Sequence, residues 1–135
     1  TPNVPEAEIL SGIKIETVDD MDRAAGKICR EAGCAVLVKG GHLDGNTKTD
    51  ILYADGQRVE TYEALTVETR NTHGTGCTLS SAITAHLALG YTMADAIRLA
   101  KTYLYKALEA GKDVEIGRGH GPVNHYFDPH PYYTK

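Results

Sequence analysis

The 135-residue sequence lacks most of the features that would place it in a special class. None of its apolar stretches approaches the ~20 residues needed to span a bilayer. No long basic run is present, and 14 Lys and Arg against 18 Asp and Glu leave a formal charge of −4. That balance argues against a groove tracking nucleic-acid phosphates, while leaving room for a local anion site. Three cysteines (Cys29, Cys34, Cys77) are odd in number and follow no metal-type spacing. The tail histidines, His120, His125 and His130, are too irregularly placed for a zinc site. No segment has the form of a signal peptide, so a reducing, cytoplasmic setting is expected. Internal repeats and linkers are lacking too. The chain opens Thr1-Pro2-Asn3 rather than with Met and enters a helix signal within a few residues, as a piece of a longer protein would.

What is there suits one globular domain, with 41% hydrophobic and 24% charged residues. Asn3-Val4-Pro5-Glu6 has capping-box form and predicts a short helix to Leu10, stopped at Gly12. Thr17 precedes Val18, Met21, Ala24, Ala25, Ile28 and Ala32 at helical spacing, and Gly33 follows. Ala35–Lys39 is a short apolar run of the kind buried on both faces in a parallel sheet. Extended stretches at Thr49–Ala54 and Arg58–Leu65 flank Asp55-Gly56, a hairpin signal. A helix runs from the glycine-rich turn at residue 74 to Leu89, with Gly90 as its stop. Another opens at Thr92, with Asp95 in capping-box spacing, buries Ala96, Ile97, Ala100, Tyr103, Leu104, Ala107 and Leu108, and ends at Gly111. From Gly117 on, the sequence predicts loop. The order of elements is α/β.

The sharpest feature is Gly74-Thr75-Gly76-Cys77. Two glycines one residue apart, directly before a helix, let successive backbone N–H groups face outward where the helix dipole is positive. That suits a phosphate, or the charge that develops on one during transfer; a tight loop without ligand is the plainer alternative. No Lys-Ser/Thr follows the last glycine, which excludes a Walker A loop, and a dinucleotide fingerprint would need a third glycine. Cys77 falls in the first helical turn, where a thiolate is favoured and could take a proton from a substrate hydroxyl; it could equally be a small packing residue. Cys29 and Cys34 are expected to be structural. Lys39 ends the apolar strand, where ligands gather in open α/β sheets, or it simply reaches to solvent. His42 and His73 flank the same turns. Glu6 beside a phosphate site could hold Mg2+ or its waters, and Asn3 with Glu6 could equally be a capping box and nothing more.

Together, Thr1-Pro2-Asn3-Val4-Pro5-Glu6-Ala7-Glu8, Val38-Lys39-Gly40-Gly41-His42, Asn71 through Ile83, and Gly119-His120-Gly121-Pro122-Val123-Asn124-His125 resemble the hydroxymethylpyrimidine/phosphomethylpyrimidine kinases of thiamine biosynthesis. These are ribokinase-like vitamin kinases. The likeness covers nearly the whole chain but only the C-terminal half of a family member. It implies residues 1–135 of one kinase domain with a three-layer fold and a mostly parallel central sheet, whose N-terminal half is absent. It implies ATP-dependent phosphorylation of the pyrimidine alcohol and then of its monophosphate, by a homo-oligomer with small-molecule substrates and no nucleic-acid or membrane partner. Carried over, Gly74, Thr75 and Gly76 form the anion hole, and Cys77 stands where ribokinase has an aspartate base. Glu6, with Asn3, organises Mg2+ and phosphate, and Lys39 faces the phosphates. The missing half would hold most of the pyrimidine pocket, so this chain alone is expected to be inactive. A pyridoxal kinase of the same fold, a non-catalytic nucleotide-binding module and a Cys77/His73 hydrolase are the alternatives.

Overall fold

A computed structural model describes residues 1–40 and 47–129. His42 and His130, named above, lie outside the described residues. The chain divides into two compact units, Thr1–Thr66 and Val67–Lys135.

The first unit contains α1 (Val4–Ser11), α2 (Val18–Ala32), β1 (Val36–Lys39), β2 (Thr47–Ala54) and β3 (Gln57–Leu65). Reciprocal bonds close the start of α1: Asn3 Oδ1 accepts from the Glu6 N–H at 2.9 Å, and Glu6 Oε2 accepts from the Asn3 N–H at 2.8 Å. Gly12 ends the helix at φ 68°, its N–H bonded to the Glu8 carbonyl. Thr17 and Asp20 cap α2 in the same way. Met21, Ala24, Ala25, Ile28 and Cys29 then form one buried stripe, packed into a core with Ala7, Ile15, Val36, Val38 and Ile51. At about 1.5–3 kcal/mol for each fully buried large side chain, this stripe outweighs any single cap.

The three strands lie in the order β1-β2-β3. Val36 pairs with Tyr53 and Lys39 with Asp50, while Thr47 pairs with Leu65 and Ala54 with Gln57. Asp55 (φ 52°) and Gly56 (φ 76°) make the tight hairpin turn that Asp-Gly predicts. The α/β class is as expected, but the parallel sheet is not present here. Among the described residues every strand ladder is antiparallel, and parallel pairing is confined to isolated bridges at Asn3–Lys39 and His73–Pro122. The cause is loop length. β1 ends at Lys39 and β2 begins at Thr47, a link too short for the crossover of a dozen or more residues that parallel neighbours require. Val36, Leu37 and Val38 are nonetheless all buried. β1 has β2 on one edge and, through Lys39 N–H to the Pro2 carbonyl (2.8 Å), the start of the chain on the other.

The second unit pairs α3 (Thr75–Ala88) with α4 (Met93–Gly111). Leu79 and Ile83 of α3 are buried, as are Ala96, Ile97, Ala100 and Ala107 of α4. Tyr103, Leu104 and Leu108, expected in that core, are half-buried. Thr92 Oγ1 accepts from the Asp95 N–H at 3.2 Å and donates to the Asp95 carboxylate at 2.7 Å. Among its described residues, to 129, the tail contains no helix or regular strand.

The cap of α2 has a pH signature. Arg23 first, then the Thr17 side chain and the N–H groups of Glu16 and Thr17, hold the Asp20 carboxyl down to about 2. A carboxyl depressed in the folded state contributes stability that is complete above its unfolded pKa and is lost as pH falls through the folded one. Urea unfolding of the intact protein from about pH 4 to 2 should therefore show a loss of stability that Asp20→Asn removes. An unchanged slope in that variant would assign the acid sensitivity to other carboxylates.

Candidate active site

The glycine-rich turn lies in the second unit. Gly74 is the N-cap of α3 at φ 88°, ψ −1°, a left-handed conformation in which any side chain would be strained. No side chain caps this helix. Thr75 N–H reaches the Thr72 carbonyl at 3.4 Å and Thr78 N–H the Gly74 carbonyl at 2.8 Å. Between them, the amides of Gly76 and Cys77 begin the helix with no side-chain acceptor, at the end where the dipole is positive. A Cβ built on Gly76 meets nothing within 4 Å, so the space beside that amide is open. Cys77 is exposed.

The tail holds this turn from behind. His73 N–H donates to the Gly121 carbonyl at 3.0 Å, and Val123 N–H donates to the His73 carbonyl at 3.3 Å. Gly121 lies directly against Asn71, where a Cβ would stand 2.0 Å from Asn71 Oδ1. Asn71 itself is buried. His120 Nδ1 lies 3.2 Å from the Arg70 carbonyl, which gives that histidine a structural partner. His125 lies between Tyr103 OH (3.1 Å) and Thr78 Oγ1 (3.5 Å). A cleft of about 520 Å³ opens beside Asn71, with Arg70, Lys112 and Arg118 balanced by Asp113 and Glu115 in its walls.

The other sequence candidates belong to the first unit, where they come together. Asn3 and Lys39 are joined by a parallel bridge, and the Lys39 ammonium donates to the Thr1 carbonyl. Glu6 is exposed, with Oε2 engaged by the Asn3 N–H. Next to them, buried Asp50 accepts from the Gly40 N–H at 3.0 Å. Asp50 escaped the sequence reading, because an acid inside an extended stretch carries no signal of which strand will face it. The same is true of Asn71 and Gly121, although a glycine in Gly-His-Gly-Pro could have been flagged for close approach. Cys29 is buried as expected, whereas Cys34 is exposed. It directly follows Gly33, the αL stop of α2, and precedes the covered strand.

Known proteins similar to this chain are kinases. A family model described as phosphomethylpyrimidine kinase matches residues 1–124. The hydroxymethylpyrimidine/phosphomethylpyrimidine kinase of Rhizobium meliloti is 47% identical over 127 residues, covering 93% of this chain and 47% of that protein. A crystal structure of phosphomethylpyrimidine kinase from Clostridium difficile is 44% identical, with a TM-score of 0.62 over 79% of this chain and 41% of that one. A pyridoxal kinase from Staphylococcus aureus in complex with AMP-PCP is 34% identical, with a TM-score of 0.85 over 93% of this chain and 46% of that one. The chain thus spans about half the length of the kinases it matches.

Exposure makes the cysteines separable in solution. In the native protein, iodoacetamide should label Cys34 and Cys77 and spare Cys29 until denaturant is added, as read by peptide mass spectrometry. Native labelling of Cys29 at the same rate would contradict the packing of α2.

Proposed function

Because the chain belongs to the phosphomethylpyrimidine kinase family, we propose that it is the C-terminal part, residues 1–135, of one ribokinase-like kinase domain, and that the intact protein phosphorylates hydroxymethylpyrimidine and then its monophosphate with ATP. The observation that carries this reading is the uncapped start of α3, with its open Gly76 amide and exposed Cys77. Phosphoryl transfer asks for positioning and charge stabilisation, and preorganised amides at a helix start supply both.

In the first transfer the substrate's hydroxymethyl oxygen attacks the γ-phosphorus of ATP. The bond from that phosphorus to the bridging oxygen breaks, and ADP leaves. Cys77 accepts the hydroxyl proton, while the amides of Gly76 and Cys77, set by Gly74 and Thr75, stabilise the negative charge spread over the transferring oxygens. The second transfer ends on a phosphate oxygen that is already largely ionised at neutral pH, so it needs no base. The reading gives Cys77 a role in one step and the amides a role in both.

Magnesium ions are usually held by one or two carboxylates together with the substrate's phosphates, often through water. Glu6 fits that arrangement: its carboxylate is exposed, and the Asn3 N–H fixes one of its oxygens. The ion would neutralise phosphate charge. Lys39 has three donors and uses one on the Thr1 carbonyl, leaving two for a phosphate oxygen. The reading carries with it a cytoplasmic homo-oligomer acting on small molecules; no described helix is long and apolar enough to cross a membrane. The likeness to pyridoxal kinases favours pyridoxal as the second candidate substrate. Turnover of the intact protein with each alcohol decides between them.

Three substitutions test the site. Gly76→Val should fold, since its Cβ meets nothing, yet cut turnover sharply by crowding the amide that faces phosphate. Unchanged kinase activity would sink the assignment. Cys77→Ser should slow the first transfer by about 10²–10⁴-fold, leave nucleotide affinity nearly unchanged and slow the second transfer much less. Cys77→Asp should be milder than serine in the first transfer, because a carboxylate can take the proton. Equal losses in both transfers, or serine milder than aspartate, would put the base elsewhere.

A further inference from the structure

A turn with glycine at its cap and no capping side chain has only its backbone bonds, Thr75 to Thr72 and Thr78 to Gly74, to hold it from within, so its geometry depends on support from outside. The outside support converges on Asn71. This side chain is only 7% exposed, and both of its amide hydrogens are used, on the Gly111 carbonyl at 2.6 Å and the Val114 carbonyl at 2.7 Å. Its own N–H donates to Thr69 Oγ1 at 3.0 Å, and that hydroxyl donates on to the Lys112 carbonyl at 3.3 Å. Residues 69–71 are thereby fastened to the end of α4. The remaining polar atom, Asn71 Oδ1, faces Gly121 so closely that no side chain fits there. Gly121 and Val123 in turn grip the His73 backbone from both its N–H and its carbonyl. His73 immediately precedes Gly74, so a continuous path runs from α4 through Asn71 and Gly121 to the cap of α3.

We infer that Asn71 is a positioning residue for the phosphate-facing turn, acting through Gly121 and His73 without touching substrate. This rests on the kinase reading for its kinetic consequence, but the clamp itself is a property of the fold. A carboxamide suits the position because it offers two donors to two carbonyls and an acceptor oxygen that lies flat against a glycine. Leucine or alanine would leave the buried Gly111 carbonyl and the part-buried Val114 carbonyl without their partner, and aspartate would set oxygen against oxygen.

A role confined to stability predicts something different, and the two can be separated in the intact protein. Asn124 is the comparison. Its side chain ties the tail to Ala110 (3.3 Å) and to Tyr126 (2.9 Å) and makes no bond to Asn71, Gly121 or His73, so Asn124→Ala should lower the melting temperature and leave kcat unchanged. Asn71→Ala and Gly121→Ala, assayed well below their melting temperatures, should lower kcat about tenfold or more while KM for the pyrimidine alcohol stays within about twofold, because misplaced amides lose the transition state before they lose the substrate. Hydrogen exchange of the peptide covering residues 72–79 should accelerate in both, and not in Asn124→Ala. If folded Asn71→Ala keeps kcat within about fivefold of wild type, or if Asn124→Ala loses as much, the inference is overturned. Should Asn71→Ala fail to fold, Gly121→Ala decides by the same two readouts. A wild-type protein without kinase activity would count against the kinase reading alone, and exchange at residues 72–79 would still decide the clamp.

Discussion

The two backbone hydrogen bonds between His73 and the tail, one from each side of the residue, carry more of this molecule's design than their number implies. Each is worth about 1 kcal/mol in net stability. What they supply is definition. Gly74 and Gly76 give the turn its reach and deprive it of stiffness, and a helix start made of glycine and threonine would otherwise sample many arrangements of its amides. Tying His73 on both sides removes that freedom just before the cap. The proposed chemistry depends on those amides being fixed before the substrate arrives.

The treatment of the helix starts supports this view. Asn3, Thr17 and Thr92 each put a side-chain oxygen on the amides of α1, α2 and α4. Such a cap contributes about 1 kcal/mol. At α3 the same benefit is forgone, and the amides stay available. Cys77 sits in that first turn, exposed where the other helices bury their apolar stripes.

How much could be seen in the sequence depended on the range of the interaction. Asn3-x-x-Glu6, Thr92-x-x-Asp95 and the Asp55-Gly56 turn act over a few residues, and the elements they bound formed as expected. The Gly74–Cys77 turn was legible for the same reason. The antiparallel pairing of β1 with β2 was not read in advance, because a run such as Val36-Leu37-Val38 is buried equally well by parallel and antiparallel neighbours; the short link to Thr47 was the telling feature, and it lies in spacing rather than composition. Asn71 opens the glycine-rich run, yet the sequence assigned it no role. Its partners Gly111 and Val114 stand 40 and 43 positions away, and no local pattern announces a carboxamide that will meet two carbonyls at a helix end. The tail looked featureless because its order is borrowed from His73 and α4.

That borrowed order sets a sequence of events in time. The contacts between Arg70 and His120 span 50 positions, so the second unit closes on itself only when almost all of it is present. During synthesis α3 and α4 can pair as an antiparallel hairpin as soon as Gly111 has emerged, a local and fast event. The strap of Gly121 and Val123 arrives last. A nascent or truncated chain that stops near Gly117 would keep both helices and still lack a defined amide array. Competence here is acquired at the end of folding, by the least regular part of the polypeptide.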